Sequence, residues 1–165
     1  MIRKKSILSF LLIFLIYLPV SAVTLDAGGS KIDNYEQAIK RITKAKKLEK
    51  KGKIKKSKKL YEKSIIYLLK AYSNNPTNPD ILNYLGFLKR KIGNYEEAEI
   101  YYLLGLDLDS KHRELNGYLG ELYIETNRID KAKERLEVLE NCNCEEYDKL
   151  KKIIEKTKKS WLKNS

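Results

Sequence analysis

Leu85 to Asp109 reads LGFLKRKIGNYEEAEIYYLLGLDLD, and Leu119 to Glu140 reads LGELYIETNRIDKAKERLEVLE. The second stretch is a worn copy of the first. Leu85-Gly86 aligns with Leu119-Gly120 at an offset of 34, and the same offset carries Tyr84 to Tyr118, Gly93 to Asn127, Tyr95 to Ile129, Ala98 to Ala132 and Tyr102 to Leu136. A fixed period of this length marks a supersecondary unit that is stacked rather than folded around one centre. The apolar residues in each copy recur at helical spacing, on either side of Gly93-Asn94 or Asn127. Gly, or Asn in its place, can take the left-handed conformation that turns one helix into the next. Each copy is therefore read as a helix–turn–helix hairpin. Gly86 and Gly120, with Ala98 and Ala132, allow close helix approach, while Tyr95, Tyr101 and Tyr102 fill the wedge between helices. Two positions depart from the pattern: Gly93 becomes Asn127, and Gly105 becomes Leu139, which weakens the close helix contact expected there.

The stretch LNYLGFLKRKIGNYEEAEIYYLLGL, with L-x-x-L-G followed by G-x-Y-x-x-A, resembles the tetratricopeptide repeat (TPR) signature. The resemblance implies a right-handed superhelix of antiparallel helix hairpins, an all-α solenoid. Because one such unit leaves an apolar face bare, about three are needed for stability. A third unit is expected upstream. Tyr35, Ala38, Ile39, Ile42, Ala45 and Leu48 form one apolar stripe, and Ile54, Tyr61, Ile65, Leu68 and Tyr72 form another, on either side of Gly52. Gly52 to Pro76 is 24 residues, whereas Gly93 to the equivalent Ser110 is 17. The excess of seven is about two helical turns, so the second helix is lengthened without rotating its apolar face. Asn78 suits a cap and Pro79 the first helical position. At the other end Tyr147, Leu150, Ile153, Ile154 and Trp161 share one face of a Lys-rich helix that serves as the polar-backed cap. Asn143 and Glu146 form a capping-box-like pair at its start, and Trp161 is read as a core anchor.

The N-terminus reads as an export label. Arg3, Lys4 and Lys5 precede the apolar run Ile7 to Leu18, and Val20-Ser21-Ala22 is a cleavage pattern. The run is short for a membrane span. The expected organisation is a signal peptide over 1–22, a flexible lead over 23–32, and a divergent, extended hairpin over 33–78. Repeat hairpins follow over 79–112 and 113–146, then a capping helix over 147–165. The expected location is the periplasm, with a retained anchor as the alternative.

The net charge is +12. It is unevenly spread: Lys31 to Lys70 holds 15 basic and 4 acidic residues, and Asp80 to Glu140 holds 9 basic and 13 acidic. Nucleic acid would satisfy the basic end, but the export label argues against it. No catalytic set is present: there is one His, His112, and no phosphate loop, HExxH motif or nucleophile elbow. Asp107 and Asp109 end a helix and are discounted as a metal pair. No cofactor is expected. Cys142-Asn143-Cys144 leaves three readings open: a local disulfide, a soft metal site, or a thiol-exchange site.

The tail CEEYDKLKKIIEK resembles those of small exported bacterial TPR proteins. The family resemblance also implies a groove lined by the first helices of the units. Carried onto this chain, it comprises Asn83, Phe87, Arg90 and Lys91, then Glu114, Gly117, Glu121 and Ile124. The Lys/Asn set of the chaperone-tail clamp is not present. The resulting expectation is a non-enzymatic scaffold or assembly factor of the envelope that holds a protein or peptide in this groove. The alternatives are a redox or metal-handling accessory using Cys142 and Cys144, and a binder of anionic envelope surfaces through the Lys-rich first hairpin.

Overall fold

The structure, a computed structural model, describes residues 31–164, with side chains over 34–159. The expected signal segment lies outside the described residues, as does most of the expected lead and the side chain of Trp161. Among the described residues seven helices follow one another: α1 (Lys31–Lys50), α2 (Ile54–Asn74), α3 (Pro79–Ile92), α4 (Tyr95–Leu108), α5 (Arg113–Glu125), α6 (Ile129–Leu139) and α7 (Glu145–Asn164). No strand occurs among the described residues. α1 pairs with α2, α3 with α4 and α5 with α6, while α7 packs on both α5 and α6. This is an all-α solenoid.

Local chemistry sets the boundaries. The Asn78 side chain accepts the Asp80 N–H at 2.9 Å, with Pro79 just inside the helix. Gly93 ends α3 at φ 90°, and its N–H and that of Asn94 satisfy the carbonyls of Arg90 and Lys89. Asn94 then caps α4, accepting the Glu97 N–H while its own amide donates to the Glu97 carboxylate. His112 caps α5, its Nδ1 accepting the Leu115 N–H, and its Nε2 lies 3.1 Å from Asp80. The one His is thus a structural joint between two units.

α2 has 21 residues against 14 for α4, a difference of seven. α1 is lengthened as well, to 20 residues, and starts at Lys31, inside the segment read as a lead. α7 starts at Glu145. Asn143 takes φ 47° in the turn before it and is not the residue flanking the helix, so the expected Asn143–Glu146 capping pair does not form. Tyr102 is wholly buried, but Tyr95 is 40% exposed and fills no wedge.

The core is two neighbouring clusters rather than one. Residues of α1, α2 and α3 form the first, around Tyr61, Leu68 and Leu85. Residues of α4 to α7 form the second, around Tyr102, Leu115, Leu122 and Leu150. Tyr118 packs against both. Close approach is built in at the joints. A Cβ on Gly86 would lie 2.5 Å from the Tyr102 ring, one on Gly105 2.7 Å from Leu115, and one on Gly120 2.5 Å from Leu150. Gly86 therefore admits the second helix of its own unit, whereas Gly105 admits the next unit and Gly120 the cap.

Candidate functional site

α1, α3, α5 and α7 line one side of the solenoid, and a ladder of side-chain contacts crosses from each to the next. Lys91 of α3 pairs with Glu49 of α1 at 2.7 Å, and Glu49 also accepts the Tyr61 hydroxyl at 2.7 Å. Lys46 of α1 sits over the Phe87 ring, 4.5 Å from its centroid. Phe87 and Tyr118 of α5 pack ring against ring at 5.5 Å. Arg90 bridges to Glu121 at 2.7 Å and Glu125 at 3.2 Å, with its guanidinium 5.6 Å from the Tyr118 ring centre. Lys149 of α7 reaches the other oxygen of Glu121 at 2.6 Å.

These groups line an open groove of about 330 Å³ over Lys46, Glu49, Phe87, Arg90, Tyr118 and Lys149. A smaller hollow between α5 and α7 continues it through Tyr118, Glu121 and Lys149. The floor is aromatic. The walls carry Lys46, Lys50, Lys91 and Lys149, with Arg90 recessed below them.

Of the residues assigned to the groove from the sequence, Phe87, Arg90, Lys91 and Glu121 come together here. Asn83 shares their stripe on α3 but is buried and does not line the groove. Ile124 packs against the second core cluster instead. Glu114 sits beside His112 at the start of α5, 3.4 Å from its Nδ1. Arg90 is a structural group: its side chain is only 6% exposed, and its charge is met from within. Sequence reasoning missed Lys46, Glu49, Lys50, Tyr118 and Lys149. Tyr118 carried a signal, since it repeats Tyr84 at the 34-residue offset. Lys149 was hidden among the six lysines taken as the polar back of the cap.

The electrostatics separate the paired groups from the free one. Burial pushes the Glu121 carboxyl up, but Arg90 and Lys149 together outweigh it and hold Glu121 below the usual carboxylate value. Glu49 behaves alike, with Lys91 and Tyr61 overcoming burial. Lys46 goes the other way. Burial lowers its ammonium, and the like charges of Lys149 and Lys91 lower it further, against a smaller pull from Glu49. Among the described residues no carboxylate lies within ion-pair distance of Lys46.

Cys142 and Cys144 are joined in a disulfide in the turn before α7, and the Cys144 end is buried. No group of three His, Cys, Asp or Glu among the described residues is placed to hold a metal ion.

Two models of the tetratricopeptide repeat match the chain, over residues 48–78 and 67–100. Together they run from the end of α1 through α2 and α3 into α4, framing the period one helix away from the hairpins described above. Residues 48–100 thus carry tetratricopeptide repeats. Its solenoid resembles the TPR domain of Sgt2 from Aspergillus fumigatus, with a TM-score of 0.56 and 20% identity over 78% of this chain and 81% of that one. The first TPR domain of Spaghetti (RPAP3), solved with the HSP90 peptide SRMEEVD, gives 0.52 at 23% identity, over 72% and 91% of the two chains. The type III secretion translocator chaperone SycD of Yersinia enterocolitica gives 0.50 at 18% identity, over 81% and 96%. No curated protein matches the sequence. Repeats of this kind make the protein a protein–protein interaction module.

Proposed function

We propose that this protein is an exported interaction module of the cell envelope, acting as a scaffold or assembly factor, and that its groove holds an acidic segment of a partner protein. The observation that carries the ligand chemistry is Lys46. Its half-buried ammonium lies over an aromatic floor and is repelled by Lys91 and Lys149, with no ion-pair partner among the described residues. A carboxylate entering the groove supplies what that site lacks, in surroundings where a charge-assisted contact is stronger than at an open surface. The aromatic surface of Phe87 and Tyr118 accepts the apolar side chains between the acids. Export rests on the basic, apolar and small-residue pattern of the first 22 residues, with cleavage after Ala22 and release into the periplasm. The Cys142–Cys144 bridge suits that compartment.

The test is fluorescence anisotropy with labelled peptides of acidic, neutral and basic composition. The acidic peptide is expected to bind best, and Lys46→Glu with Lys149→Glu is expected to weaken it at least tenfold, about 1.4 kcal/mol. Equal binding of the neutral peptide, or indifference to the double reversal, would remove the acidic-ligand reading. For location, the N-terminal residue of the protein recovered from a periplasmic extract is expected to be Val23.

A further inference from the structure

α4 is apolar on both sides. Ala98, Tyr102, Gly105 and Leu106 are buried inward. On the opposite side Ile100, Leu103, Leu104 and Leu108 form one stripe, each between 42% and 55% exposed. A helix apolar around its whole circumference is normally covered on both faces. α2, the preceding second helix, adds Ile66 and Leu69 to the same outer layer, at 56% and 42% exposure. Tyr72 of α2 and Tyr101 of α4 pack on the same core cluster. The outer sides of α2 and α4 thus both carry exposed apolar side chains, of the kind that mark an interaction site.

The charges flanking it indicate what covers it. α2 carries six Lys and one Glu, whereas α4 carries three Glu, one Asp and no basic residue; Glu97 and Glu99 are paired with Lys89 and Arg128, which leaves Glu96 and Asp107 as its unpaired acids among the described residues. Among the described residues no Lys of α2 has an ion-pair partner. One face thus presents a positive helix beside a negative one, with apolar side chains on both. Such a face is complementary to itself, because a two-fold axis places the same patch on both partners.

We propose that a second copy of this chain covers this face, about a two-fold axis running along the helices between α2 and α4. That axis lays the Lys-rich α2 of each copy over the acidic α4 of the other and buries Ile66, Leu69, Ile100, Leu103, Leu104 and Leu108 between them. A two-fold axis across the helices would instead set α2 on α2 and Lys on Lys, which like-charge repulsion disfavours. The groove lined by α1, α3, α5 and α7 is on the other side and stays open, so this inference stands apart from the acidic-ligand reading.

The experiment is sedimentation equilibrium on the protein expressed from its whole sequence. The unaltered protein is expected to form a reversible dimer at micromolar concentration. Leu104→Glu is expected to raise the dimer dissociation constant at least tenfold with its helical signal retained. Lys59→Glu with Lys63→Glu is expected to do the same, and adding Glu96→Lys with Asp107→Lys to that pair to restore the dimer. Should Leu104→Glu lose helicity, Ile66→Asp on α2 gives the same reading. A monomer throughout the micromolar range, or a dimer indifferent to the apolar substitution, overturns the proposal. Failure of the fourfold charge exchange to restore association overturns the α2-on-α4 arrangement.

Discussion

Gly86→Ala tests the joint on which the solenoid depends. The new methyl carbon would sit 2.5 Å from both Cδ1 and Cε1 of Tyr102 and 3.0 Å from its Cζ. Carbon atoms in contact prefer about 3.5–4.0 Å, so one side must retreat by about 1 Å. The Tyr102 ring has nowhere to go. It is wholly buried, packed near the Tyr118 ring at 6.4 Å, and wedged between α3 and the second core cluster. Overpacking of this kind costs about 1–3 kcal/mol. Ala is a better helix former than Gly by about 1 kcal/mol, which offsets part of that. The net expectation is a loss of up to about 2 kcal/mol, or up to about 8 °C in Tm for a chain of this size. Urea denaturation followed by far-UV circular dichroism measures it. Tyr102→Leu in the same background removes the ring, so the two substitutions should be less costly together than the sum of each alone. If Gly86→Ala is stabilising, or if the two effects simply add, the close approach of α3 and α4 is not what fixes this glycine.

Three further outcomes are expected. Arg90→Ala should destabilise by about 1.5–3 kcal/mol in the same denaturation assay, because it leaves the largely buried Glu121 carboxylate with Lys149 as its one remaining cation, whereas Arg90→Met should cost less than Arg90→Ala. Stability should also depend on acid through Glu121 and Glu49, whose folded pKa values are held below the ordinary 4.5. Their contribution is full above that unfolded value and is lost as pH falls through the depressed folded one, so Glu121→Gln should flatten the acid limb of a stability–pH curve. Reduction of Cys142–Cys144 should cost only about 1–2 kcal/mol by loop-closure entropy, since the ring it closes is small, and the helical signal of α7 should persist.

The sequence by itself carried the repeat. Gly86, Gly93 and Ala98 recur as Gly120, Asn127 and Ala132 because each answers a local demand, either a turn that needs positive φ or a contact that admits no larger side chain. Such demands leave a mark at a fixed offset. The seven extra residues of α2 were legible for the same reason, as whole turns preserve the apolar face. The interaction surface was legible only in part. Phe87 and Lys91 could be placed from the repeat frame, but Lys46 and Glu49 match Phe87 and Arg90 only at an offset of 41, through Gly52 and Gly93, and the seven-residue insertion hides that frame from the offset of 34. Arg90 read as a groove cation. Its burial depends on Glu121 and Glu125, which lie 31 and 35 residues away and reach it only once α3 and α5 are stacked. Lys149 belonged to a polar-backed cap until α7 docked on α5 and brought its ammonium onto Glu121. Helix, turn and period are short-range properties that a sequence states outright. Which charges are paired, which is left over and which apolar face stays bare depend on contacts between different units. Those were decided only by the way the helices stack.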